Sequence, residues 1–219
     1  LKKYDMKLDD FINIVKPFTM TSVERITGLY YSLEHIRINK IEGDFVECGV
    51  WKGGNVLGIL EYLTKHNMTK NNVWLYDTFE GMTDPEDIDV DSSGKKGDIK
   101  LEEVLCYSSL KEVKNILSVS SYPKDKIKFI KGDVCETLKT NVNVPKNISL
   151  LRLDTDWYKS TKKELEVLYP LLSSKGVLIV DDYGHWKGSK MAVDEYFNNL
   201  NLDVEIHKLD YTGIKIIKD

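Results

Sequence analysis

Five short apolar runs, four of them closing on or beside a glycine or an aspartate, constrain this chain more than any other feature. They span residues 44–50, 73–77, 127–130, 148–154 and 176–181. The runs are near-continuous rather than alternating, and helical patterns separate them. That combination predicts a parallel sheet buried on both faces. The helical patterns are those of 54–64, with Val56, Leu57, Leu60 and Leu63 on one side, and of 189–200, with Ala192, Val193, Tyr196 and Phe197. Ser160 to Glu164 offers a capping start for a third helix that buries Leu165, Leu168 and Leu172. A helical region over 21–40 precedes the first strand. Two further runs, 204–209 and 213–217, flank a tight Asp210-Tyr211-Thr212-Gly213 turn and read as a closing hairpin. The segment 83–97 is acid-rich and glycine-punctuated, which predicts a mobile loop.

The expected fold class is therefore α/β: a doubly wound, seven-stranded, Rossmann-like sheet with a C-terminal antiparallel hairpin and an N-terminal helical extension. One domain is expected over 1–219, with 1–42 as a helical cap or lid and 43–219 as the α/β core.

Charge excludes one class of partner. The 31 basic and 35 acidic side chains give a net charge of −4, without the basic footprint that nucleic-acid binding needs. Cys48, Cys106 and Cys135 are odd in number and widely spaced, suggesting neither a disulfide framework nor a zinc site. No apolar run approaches the roughly 20 residues of a membrane span. The charged first ten residues do not read as a signal peptide. A cytoplasmic setting is expected.

In open parallel sheets, ligands bind beyond the carboxyl ends of the strands. The first strand there runs into Glu47-Cys48-Gly49-Val50-Trp51-Lys52-Gly53-Gly54. Glycines permit positive φ and close approach by a ligand. Trp51 stands where a dinucleotide turn would carry its middle glycine, so the loop suits a ligand without phosphates, such as S-adenosylmethionine. Asp77 ends the second strand, where an acid can accept from ribose hydroxyls, and Asp133 ends the third, near an adenine amino group. Each reads equally as a helix cap.

Asp154 and Asp156 end the fourth strand, and Asp181 and Asp182 end the fifth. Neighbouring strand tips would gather four carboxylates, whose mutual repulsion raises pKa values unless a cation relieves it. A hard divalent ion such as Mg²⁺ does so, and it can acidify and orient an acceptor hydroxyl. Asp156 is assigned as general base, with His185 the competing candidate. An Asp154-Thr155-Asp156 pair also mimics the metal-holding motif of glycosyltransferases, which would leave the glycine turn and Asp181-Asp182 unexplained. A binding module without turnover is the non-enzymatic alternative.

The chain resembles the macrocin O-methyltransferase (TylF) family in five blocks: residues 21–25, 43–54, 77–82, 150–161 and 180–188. The resemblance implies S-adenosylmethionine as donor, Mg²⁺ as metal and a sugar hydroxyl as acceptor. It places the metal on Asp154, Asp181 and Asp182, with Asp156 as base. The cofactor would lie along Glu47, Gly49, Val50, Trp51 and Gly53, then Asp77, Thr78, Gly132, Asp133, Val134 and Asp154. Thr21, Ser22 and Arg25 would help close over it. A homodimer or higher homo-oligomer is implied. Composition rich in Lys, Asn and Ile points towards a surface-polysaccharide or nucleotide-linked sugar acceptor.

Overall fold

The computed structural model describes residues 5–97 and 106–219; Leu1 to Tyr4 of the charged amino end lie outside them. Seven strands form one sheet in the order β3-β2-β1-β4-β5-β7-β6. They are β1 (Asp44–Cys48), β2 (Val73–Asp77), β3 (Ile127–Lys131), β4 (Ile148–Leu153), β5 (Leu172–Val180), β6 (His207–Lys208) and β7 (Ile214–Ile217). The first five are parallel, and β7 runs antiparallel between β5 and β6. The helices are α1 (Leu8–Val15), α2 (Val23–Ile38), α3 (Gly54–Lys65), α4 (Leu110–Leu117), α5 (Val134–Thr137), α6 (Tyr158–Leu168) and α7 (Lys187–Asn199). Among the described residues no helix is long and apolar enough to cross a membrane.

Strand alternation divides the core in two. Phe45, Leu150, Val177 and Ile179 face one layer, with Phe11, Ile26, Leu29, Leu33 and Ile36 of α1 and α2. Val46, Cys48, Leu151, Leu153, Leu178 and Val180 face the other, with Leu165 and Leu168 of α6 and Val193 and Phe197 of α7. Fully burying one such side chain contributes roughly 1.5–3 kcal/mol, so both covers are firmly seated. The period of two also decides the site. Glu47 shares a face with Phe45, Arg152 with Leu150, and Asp181 with Ile179, whereas Asp182 continues the face of Val180.

Three expectations shift. β5 begins at Leu172 rather than at 176, because a positive φ of 64° at Lys175 lets the chain kink and pair Leu172 with Ile148. The run 204–209 shrinks to β6, an outermost strand pairing His207 and Lys208 with Lys215 and Ile214. The loop 83–97 is anchored rather than loose. The fully buried Asp89 accepts from the backbone N–H of Glu86 and of Tyr158, both at 2.8 Å. Asp91 forms an antiparallel bridge with Trp186.

Candidate active site

A cleft opens at the carboxyl ends of β1, β2, β3 and β4. Seven of the residues expected to hold a cofactor line it: Gly49, Asp77, Thr78, Gly132, Asp133, Val134 and Asp154. Gly49 and Gly132 have φ of 79° and 136°, backbone that a side chain rarely tolerates. A Cβ at Gly49 would fall on the Asp154 carbonyl oxygen. Trp51 also adopts a left-handed φ of 48°, holding the turn without the expected middle glycine.

Asp77 is committed chiefly to that turn. Its carboxylate accepts from the N–H groups of Val50 (2.6 Å), Trp51 (3.2 Å) and Phe79 (2.6 Å). Burial raises its pKa, and these bonds hold it down. Asp133 caps α5 by accepting from the N–H of Cys135 at 2.8 Å while still facing the cleft. Cap and cleft-lining residue are thus compatible at Asp133, whereas Asp77 caps no helix among the described residues and holds the turn instead. Below the cleft, the buried Glu164 accepts from the Thr155 hydroxyl at 3.0 Å, and burial raises its pKa to about 8.

The remaining expected residues line no part of the cleft. Gly53 starts α3 in a left-handed conformation. Ser22 caps α2 and donates to Asp210 at 2.7 Å. Thr21, Glu47 and Arg25 meet instead around Arg152. This arginine, 1% exposed, donates to Glu47 (2.6 Å), Asp154 (2.7 Å), Asp181 (2.6 Å) and the Thr21 hydroxyl (3.2 Å). Burial opposes its charge, yet Asp154, Asp181 and Glu47 outweigh burial, so its pKa is raised. Burial lifts Glu47 to about 8 in spite of Arg152. Arg25 closes the arrangement from α2 by pairing with both Asp181 and Asp210.

On the other side of Asp154, the carboxylates of Asp154, Asp156 and Asp182 each place an oxygen within 4.8 Å of the others. Burial and the charges of Asp156, Asp154 and Asp181 push Asp182 well above the usual carboxylate range. The span fits a six-coordinate divalent ion, whose opposed ligands lie about 4–5 Å apart. Of the three aspartates expected on the metal, Asp154 and Asp182 belong to this group, while Asp181 stands apart from it. Asp181 carries the parity of Arg152 and is taken up by two guanidinium groups, while Asp156, turned back by a φ of 66°, joins Asp154 and Asp182. Burial raises Asp181 to about 6, with Arg152 and Arg25 opposing the rise. His185 packs on Trp186 and Tyr211, with ring centroids 4.8 and 6.2 Å away.

Sequence reasoning passed over Arg152, Asp89 and Glu164. The signal for Arg152 was present, since a lone charge inside an otherwise apolar strand requires partners.

A parallel sheet ending in an antiparallel pair, with a cleft at its carboxyl edge, is the doubly wound α/β architecture of methyltransferases. The macrocin-O-methyltransferase (TylF) profile matches residues 13–218, and the chain belongs to that family. It is 33% identical over 200 residues, 90% of this chain and 74% of the relative, to the 8-demethyl-8-(2,3-dimethoxy-α-L-rhamnosyl)-tetracenomycin-C 4′-O-methyltransferase of Streptomyces olivaceus. It is 32% identical over 202 residues, 90% of this chain and 74% of the relative, to the demethyldecarbamoylnovobiocin O-methyltransferase of Streptomyces niveus. The solved O-methyltransferase NovP superposes with a TM-score of 0.84 at 27% identity, covering 96% of this chain and 97% of that one.

Proposed function

We propose that this chain transfers a methyl group from S-adenosylmethionine to a hydroxyl of a sugar, with a divalent cation, Mg²⁺ by its ligand chemistry, at the strand-tip carboxylates. The observation that carries this reading is the convergence of Asp154, Asp156 and Asp182 beside a cleft that Asp154 also lines. The relative named for a rhamnosyl-tetracenomycin 4′-O-methylation supports a sugar acceptor. A sulfonium donor supplies an electrophilic methyl, and a bound divalent ion supplies a Lewis acid that eases loss of the acceptor proton.

The chain's own residues do the rest. Gly49 and Gly132 admit the donor close to the backbone, and Asp77 fixes the turn from below. Asp154 and Asp182 hold the cation. Asp156, in the same group of carboxylates, would receive the acceptor proton. Asp181 pairs with Arg25 and Arg152 beside that group. Arg152 also positions Asp154.

The test is calorimetry followed by turnover. S-adenosylhomocysteine should bind in the micromolar range, and excess EDTA should abolish transfer of labelled methyl to a sugar acceptor. Binding of UDP or GDP in place of S-adenosylhomocysteine would overturn the donor assignment. Full turnover in EDTA would overturn the cation.

A further inference from the structure

A row of aromatic rings joins residues close in sequence to the carboxylates to the turn between β6 and β7. Trp157 follows Asp156 directly, and its ring lies 5.0 Å from that of Trp186. His185 packs edge-on against Trp186 at 4.8 Å, and Tyr211 packs edge-on against His185 at 6.2 Å. Exposure climbs along the row, from 2% at Trp157 and 9% at Trp186 to 75% at Tyr211. One end is core and the other is a bare aromatic face.

A single exposed tyrosine on a surface turn is ordinary. This turn is not loosely held, however. Asp210 accepts from the Ser22 hydroxyl at 2.7 Å and from the N–H groups of Thr212 (2.9 Å) and Gly213 (2.7 Å), and it pairs with Arg25 at 2.9 Å. The Thr212 hydroxyl donates to the Asp181 carbonyl at 2.9 Å, and the Gly184 N–H donates to the Thr212 carbonyl at 2.8 Å. Because β7 pairs antiparallel with β5, with Ile214 opposite Val180, the turn stands at the same sheet edge as Asp181 and Asp182. The fold thus fixes the turn that carries Tyr211 at the sheet edge of Asp181 and Asp182, and sets an imidazole against its uncovered ring. Rigid aromatic faces with few rotatable bonds bind amphipathic rings at low entropic cost, and the C–H face of a pyranose is such a partner.

We infer that Tyr211, with His185 behind it, is the stacking platform for the pyranose ring of the acceptor. This inference rests on the sugar methyltransferase reading above. It makes Tyr211 a binding residue that sets affinity for the acceptor, with no part in proton transfer. His185 then supports the Tyr211 ring rather than serving as the base.

The experiment uses the full chain and a panel of p-nitrophenyl pyranosides with labelled S-adenosylmethionine. The pyranoside methylated fastest by the native protein is carried into the variants. Tyr211→Ala should raise its KM about tenfold, with kcat within about twofold. Tyr211→Phe and Tyr211→Trp should both retain the native KM, because the face and not the hydroxyl does the work. S-adenosylhomocysteine affinity and Tm should be unchanged in all three. An unaltered KM in Tyr211→Ala would overturn the platform alone, as would failure of Phe to restore it. A native chain that binds S-adenosylhomocysteine yet methylates no pyranoside would overturn the sugar reading beneath it.

Discussion

The two groups of carboxylates that meet at Asp154 differ in what balances them. On one side Glu47, Asp154, Asp181 and Asp210 surround Arg152 and Arg25, so every acid has a guanidinium partner. On the other side Asp156 and Asp182 share the company of Asp154, which already has Arg152 as a partner, and Asp182 is driven towards its protonated form. The difference arises from strand parity. Successive residues point to opposite faces, so Asp181 falls among the arginines and Asp182 does not. The first group is a closed structural salt cluster. The second is short of positive charge, and a cation would complete it.

Breaking the closed group should cost the most. Arg152→Met removes the common partner of three acids and leaves them buried without it. We expect a loss of about 3–5 kcal/mol in urea-induced unfolding, as for other buried pairs stripped of one member. A variant as stable as the native chain would mean that the cluster contributes little. The open group is sharpened by a pair of variants. If Asp156 is the third ligand, Asp156→Asn should weaken Mn²⁺ binding about 10- to 100-fold, measured by titration, while Asp181→Asn leaves it nearly intact. The reverse pattern would return Asp181 to the metal and leave Asp156 free to act as base.

The smallest effect concerns pH. Glu164 is held protonated to about 8 by burial, whereas in the unfolded chain it ionises near 4.5. Between those values the unfolded state releases a proton that the folded state keeps, so stability falls as pH rises through that window. Glu164→Gln should flatten that fall. Comparing unfolding at pH 5 and pH 8, the variant should lose on the order of 1 kcal/mol less than the native chain. Equal losses would show that Glu164 does not titrate in that window.

Much of this was legible in the chain because the parallel strands announce themselves. Residues 73–77 and 54–64 needed only apolar continuity and helical spacing to be placed. The four tip aspartates were legible as a set, but their division was not. It depends on which face each tip residue occupies and on the left-handed turn at Asp156, and neither is written in composition. The role of Arg152 was hidden for a different reason. Glu47 lies 105 residues away from it and Asp181 lies 29 away, so only the strand order brings them together. Helix α4 escaped notice because only Val113 and Leu117 of its eight residues are buried.

Gly49 carries a consequence beyond the space it leaves for a donor. Its N–H donates to the Tyr76 carbonyl, the Asp154 N–H donates to the Cys48 carbonyl, and the Asp154 carbonyl occupies the space where a Cβ of Gly49 would stand. On the proposed reading, the donor's turn and the cation's carboxylate are therefore one mechanical part. Any factor by which one ligand changes the affinity of the other is returned in equal measure by linkage.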